Sequence, residues 1–301
     1  MSVSILGDNG QQLQSKIAFL KLFDRRFSKQ LREDNGISKW AKELEIAYVQ
    51  SIKSGSIFRF LEDLHSIPNF QDDTEEDWDD AENETFLTDE LHRLFTTEAA
   101  TYEKLHTHQG RVIPKLLAQV EMDIAPPGLS VLPASPGGFE PFKIKGLLQH
   151  VDGFNLWDIV QHCPRSSWQA IVDQAVSAVR ILGDHDILNQ DVRPENFVIQ
   201  ARTGGNKEVE DYHVFMVDFA LCRFRGENES DADWGKAKNT KDEEGAVGLR
   251  MKKLLKEKHH FDLHFEASHR YEQWGDTDDS FKDRAFKRQV GPGEFVYTLR
   301  G

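Results

Sequence analysis

The sequence predicts an α+β protein of two lobes, and three observations carry that prediction. Two short apolar runs, Phe197 to Ile199 and Val214 to Val217, flank a polar segment containing Gly204 and Gly205. That is the pattern of two strands joined by a hairpin-like turn. Residues 167 to 182 carry a helical period in Trp168, Val172, Ala175, Val179 and Leu182, and a second period runs from about 88 to 106. At 301 residues the chain is long enough for one large domain or for two lobes sharing a cleft.

Composition narrows the class. Twenty Phe and six Trp are enough for a core, and the formal net charge is -14. Nine acids and no base lie between Asp72 and Glu84, while Lys and Arg form no long basic stripe. That argues against nucleic acid as a partner. Cys163 and Cys222 are far apart and fit a reducing compartment rather than a disulfide framework. No secretory signal is visible in MSVSILGDNGQQ, and no run approaches the length of a bilayer span. A soluble protein of the cytoplasm or nucleus, without a membrane, is the expectation.

Taken in order, Val3 to Leu6 is a short apolar run and GDNG a turn. Residues 17 to 23, IAFLKLF, read as a strand apolar on both faces, on which Lys21 needs a partner or a route to water. Residues 37 to 52 have a helical face of Ile37, Trp40, Leu44, Ala47 and Tyr48, and an apolar patch follows at 57 to 64. The run FQDDTEEDWDDAENE is dense enough in like charge to predict a solvated, loosely held loop. It lacks the glycine and ligand spacing of an EF-hand. Thr88 or Asp89 caps a helix to about His106, with Leu91, Leu94, Phe95, Tyr102 and Leu105 as its stripe. Glu98 falls on that stripe and, like Lys21, is a charge in apolar surroundings that needs a counter-charge.

Beyond that helix a Pro/Gly loop fills 126 to 141, and Ile144 to Leu148 reads as an apolar strand before a turn at Asp152 and Gly153. The text after Ala220 is polar to about residue 245. His259, His260, His264 and His269 raise a zinc reading, but no acids or thiols recur with them, and a surface helix explains them as well. VGPGEFVYTLRG ends the chain as a turn and a strand-like tail.

Asp191 and Asn196 stand just before the first hairpin run, and Asp218 directly after the second. A hairpin brings these acids and the amide to one end of a small sheet, where they can hold a divalent cation or simply cap strand ends. NQDVRPENFVI followed by VDFA resembles the catalytic and metal-binding loops of protein kinases, HRDxxxxN and DFG. The Arg-Pro after the aspartate resembles a divergent kinase-like branch common in fungi. The resemblance implies a bilobal protein kinase-like fold: a small β-rich N-terminal lobe over 1 to 148 and a mainly helical C-terminal lobe over 149 to 301. A helical and acidic insertion would occupy about 36 to 88.

The same resemblance implies roles. Asp191 would be the catalytic base, Asn196 and Asp218 the Mg2+ ligands, and Arg193 a contact to the transferred phosphate. Lys21 would hold the ATP phosphates and Glu98 would pair with it. The backbone near Gln149 to Val151 would contact adenine, with Leu148 controlling access behind it. Departures surround this set. Asn189 and Gln190 replace His-Arg before Asp191, and Ala220 replaces the glycine of DFG. Only twenty residues precede Lys21, too few in the usual pattern for a strand, a glycine-rich loop and a second strand. Two functions follow. One is an atypical Mg-ATP phosphotransferase acting on a protein Ser/Thr or small-molecule hydroxyl. The other is a pseudokinase serving as an interaction module, with the acidic 72 to 84 segment as a protein-binding surface.

Overall fold

A computed structural model describes residues 2–6, 12–127, 138–203, 209–275, 285–291 and 294–299. The elements follow in chain order as β1 (Ser2–Leu6), β2 (Gln12–Ile17), β3 (Phe19–Phe23), α1 (Lys29–Asp34), α2 (Lys42–Ser54), α3 (Ser56–Ser66), α4 (Phe70–Thr74) and α5 (Asp80–Lys104). Next come β4 (Lys115–Asp123), β5 (Lys143–His150), β6 (Phe154–Asn155), α6 (Ile159–His162), α7 (Trp168–Asp184) and β7 (Ile187–Asn189). The remainder is β8 (Phe197–Thr203), β9 (Val209–Met216), β10 (Cys222–Phe224), α8 (Asp231–Lys241), α9 (Glu243–His259), β11 (Ala285–Gly291) and β12 (Glu294–Leu299). The class is α+β, as expected. Residues 1–159 and 195–222 form one compact unit, and 160–194 with 223–301 a second.

The first unit holds two three-stranded antiparallel sheets, β3-β5-β4 and β6-β8-β9. In the first sheet Lys21 lies opposite Leu147 of the central strand, and Gln149 lies between Phe19 and Leu116. Gly146 is required there, since a Cβ would come within 2.8 Å of the Lys21 carbonyl and of Leu22. The expected single strand at 17 to 23 is broken at Ala18, and it is not buried on both faces. Leu22 is 48% exposed and Phe19 58%, whereas Phe23 is buried. Two strands do precede β3: β1 and β2 pair antiparallel, with Leu6 opposite Gln12. Five- and six-residue strands fit where longer ones would not. GDNG lies between them, outside the described residues.

The acidic stretch is the clearest correction. It is not a loose loop but α4, a 3-10 turn at Glu75–Asp77, and the first turns of α5. Asp79 caps α5 by accepting from the Ala81 and Glu82 amides, both at 2.8 Å, and Glu82 accepts from the Asp79 amide at 2.9 Å. This reciprocal box and the helix dipole welcome acids at that end. Trp78 anchors the stretch, packing edge-on to Phe60 at 5.0 Å and against Phe70 and Phe86. The helix therefore begins at Asp80 and not near Thr88, which is buried within it. Trp40 precedes α2 rather than lying on its face, and α3 forms over the apolar patch.

In the second unit the expected central helix is α7, which buries Trp168, Ile171, Val172, Ala175, Val179 and Leu182. The polar stretch before residue 245 contains a helix, α8, whose Ser230 cap accepts from the Asp233 amide. Residues 260–275 lie along these helices. Gln169 exchanges two hydrogen bonds with the backbone of His264, and Phe261 meets Trp168 edge-on at 5.2 Å. Among the described residues no group of three or more His, Cys, Asp or Glu is placed to hold a metal, so the histidines form no zinc cluster. Among them, too, no helix is long and apolar enough to cross a membrane. Gly204 and Gly205 lie outside the described residues, as does most of the Pro/Gly loop at 126 to 141.

Candidate active site

Lys21 extends from the middle of β3, and Glu98 lies 77 residues later on α5, whose buried face also carries Phe95 and Tyr102. Lys21 Nζ donates to Glu98 Oε2 at 2.6 Å. It also donates to Asp218 Oδ1 at 2.7 Å. One ammonium thus serves two carboxylates. The Glu98 side chain is fully buried, while Lys21 and Asp218 keep 26% and 40% exposure, so the cluster opens to solvent on the Asp218 side.

The electrostatics follow from this placement. Burial alone would lower the Lys21 pKa, but the charges and hydrogen bonds of Glu98 and Asp218 together outweigh it and hold the amine above its ordinary value. For Glu98, burial is the largest influence and raises its pKa; Lys21 opposes that rise without cancelling it. An isolated carboxylate in this position would be expensive, and the pair is what makes it tolerable.

Asn196 and Asp218 stand at the same end of one hairpin. Phe197 of β8 lies opposite Met216 of β9, and the Val217 amide donates to the Asn196 carbonyl at 2.9 Å. Asn196 is buried. Asp218 is held at φ +66°, a left-handed conformation uncommon outside glycine though tolerated by aspartate. It aims the carboxylate at Lys21 while Phe219 turns inward, fully buried, and meets Tyr102 edge-on at 5.5 Å. Ala220 follows, also buried.

Gln149 has a part that sequence reasoning missed. Its backbone belongs to the central strand, but its buried side chain donates from Nε2 to Glu98 Oε1 at 3.1 Å. Val151 lies in coil just beyond β5 and is half-buried. The sequence marks Tyr102 only as a core position on the helical stripe. Its hydroxyl is fully buried with no hydrogen-bond partner among the described residues, and burial, then the charges of Glu98 and Asp218, push its pKa well up, so the phenol stays protonated. Its place one turn after Glu98 on the same stripe was the available signal.

Asp191 and Arg193 belong to the second unit. There the Asp191 amide donates to Asn189 Oδ1 at 2.8 Å, and Arg193 lies 3.1 Å from Asp191 Oδ2. The Asn189 amide in turn donates to Glu243 Oε1 at 2.8 Å. Glu243 is buried against the ammonium of Lys238, which also donates to the Ile187 carbonyl at 3.1 Å. A buried ion pair therefore fixes the backbone that leads into Asp191.

No protein-family model matches the sequence, and no curated protein matches it. Among solved structures, the crystal structure of the Rio2 kinase-ADP/Mg2+-phosphoaspartate complex from Chaetomium thermophilum aligns with a TM-score of 0.40 and 13% identity. The alignment covers 62% of this chain and 44% of that one, so the chain spans less than half the length of the protein it is similar to.

Proposed function

We propose that the chain is a protein kinase-like, atypical Mg-ATP-dependent phosphotransferase acting on a protein Ser/Thr or small-molecule hydroxyl. The observation that carries the reading is Lys21 bonded to both Glu98 and Asp218, with Asn196 at the same hairpin end as Asp218. A lysine so placed suits the negative charge of nucleotide phosphates, because an incoming phosphate can take over the hydrogen bond now made to Asp218. Glu98, dry and bonded by Gln149, keeps the ammonium in position. Asp218 and Asn196 offer oxygen donors only. Mg2+ is commonly bound through one or two carboxylates together with substrate phosphates and water, and this small donor set fits that habit. Asp218 and Asn196 would hold the ion, which when bound would supply positive charge to offset that of the phosphates.

For adenine, Val151 past the end of β5 is the better backbone candidate, since Gln149 is flanked by strands on both sides. In the second unit Asp191 is the proposed base for the acceptor hydroxyl. Arg193 is assigned to the charge on the transferred group.

The second reading is a pseudokinase. It is favoured by Gln190 and Ala220, and by exposed acids at Asp72, Asp73, Glu75, Glu76 and Asp77 that suit a basic protein partner. A thermal-shift titration with Mg-ATP, run on the protein and on Asp218→Asn, tests both. A rise in melting temperature that Asp218→Asn abolishes supports the nucleotide site, and no response from folded wild-type protein overturns it. Binding with no phosphoryl transfer to any acceptor selects the pseudokinase. Transfer that persists in Asp191→Ala removes Asp191 as the base.

A further inference from the structure

Glu84 lies fourteen residues before Glu98 on α5, just under four helical turns, so the two carboxylates share a face within about 40° and stand about 21 Å apart. Both are buried, and both are bonded by cations from the segment that begins with β3. Lys21 takes Glu98. Arg25, two residues past the end of β3, donates to Glu84 Oε2 at 2.5 Å, and Arg32 donates to Oε1 and Oε2 at 2.7 and 2.8 Å. Arg25 and Arg32 are themselves buried.

The cluster reaches into the helical insertion. Arg25 also donates to Glu45 of α2 at 2.7 Å and lies 4.1 Å from the ring centroid of Tyr48. The Tyr48 hydroxyl is 3.1 Å from that of Thr88 on α5, and Arg32 donates to the carbonyls of Arg25 and Ser38, each at 2.9 Å. A helix bonded at one point can pivot or roll about it. One bonded at two points on the same face can do neither without stripping a buried charge of its partner, which is strongly unfavourable.

We propose that Glu84 is a positioning residue, a second fastening through which Arg25, Arg32 and the insertion hold α5 with Glu98 in reach of Lys21. This deepens the reading of Lys21 and Glu98 as a phosphate-holding pair, but its test needs no nucleotide. The rate at which an amine-reactive ester modifies Lys21 is measured by mass spectrometry at one fixed pH, with Glu98→Gln as the reference for a released lysine.

Glu84→Gln is expected to raise the Lys21 rate by about threefold or more, leaving lysines of the second unit unchanged. Glu84→Asp, which keeps the charge, is expected to return it toward wild type. A folded Glu84→Gln protein that labels at the wild-type rate overturns the proposal. If Glu84→Gln does not fold, Arg32→Lys, which keeps the charge but loses the guanidinium's bonds to the Arg25 and Ser38 carbonyls, is judged by the same rule. A protein that binds no ATP still gives either answer, so failure here is distinct from failure of the nucleotide site.

Discussion

Gln149 Nε2 donates to Glu98 Oε1 at 3.1 Å, while Lys21 occupies Oε2 of the same carboxylate at 2.6 Å. Each oxygen of a fully buried acid is therefore served by a separate donor. Gln149→Leu removes one of them and leaves an oxygen bare in a dry site, a loss expected at about 1–3 kcal/mol. Urea denaturation is the measurement, and a midpoint equal to wild type would show that the amide carries no weight.

Tyr102 presents the opposite case, a fully buried hydroxyl with no hydrogen-bond partner among the described residues. Tyr102→Phe keeps the ring against Phe219 and discards the desolvated oxygen. The variant is expected to be more stable than wild type by about 1 kcal/mol. A less stable variant would mean that the hydroxyl has found a partner in solution.

The Lys21 amine supplies a pH dependence. Its pKa in the folded chain lies above the ordinary 10.5, burial being overcome by Glu98 and Asp218. A raised amine contributes stability that is fully present below 10.5 and is lost as pH climbs through the higher folded value. Stability measured by urea between neutral pH and the strongly alkaline range should fall more steeply in wild type than in Lys21→Met/Glu98→Gln. Parallel curves would contradict the assignment.

The Lys238 and Glu243 pair should behave as a buried ion pair does. Lys238→Met leaves Glu243 without its counter-charge and is expected to cost about 3–5 kcal/mol. Lys238→Met/Glu243→Leu should regain much of that, while the Asn189 amide loses its acceptor. Hydrogen exchange at Asn189 should therefore quicken in the double variant even where the melting temperature recovers. Protection retained there would separate the pair from the segment leading to Asp191.

Much of this arrangement could be read from side-chain chemistry alone. Lys21 and Glu98 each stood in apolar surroundings without a counter-charge, and only a mutual bond removes both penalties. The hairpin bearing Asn196 and Asp218 was legible because strand alternation and flanking polar residues are local signals. The run from Asp72 to Glu84 was misread because charge density was weighed without position. Asp79 and Glu82 are spaced as a capping box, and acids that repel in a coil are favourable at a helix start. Val3 to Leu6 was legible as an apolar run before a turn, but β2 was not, because Gln12–Ile17 is mostly polar and carries little alternation. Gln149 and Glu84 were beyond reach for another reason. A neutral amide on a strand and one acid among nine give no sign of burial until the tertiary contacts exist.

The first unit is built from two stretches of chain, residues 1–159 and 195–222. On the ribosome, where a chain emerges from its beginning, that unit stays unfinished until residue 222 has been made. Before then β6 has no β8 beside it, Tyr102 has no Phe219 to meet, and Lys21 has Glu98 but not Asp218. A fragment cut after residue 159 would be an unfinished unit and not a free-standing lobe. The last piece to arrive is the one that brings the second carboxylate.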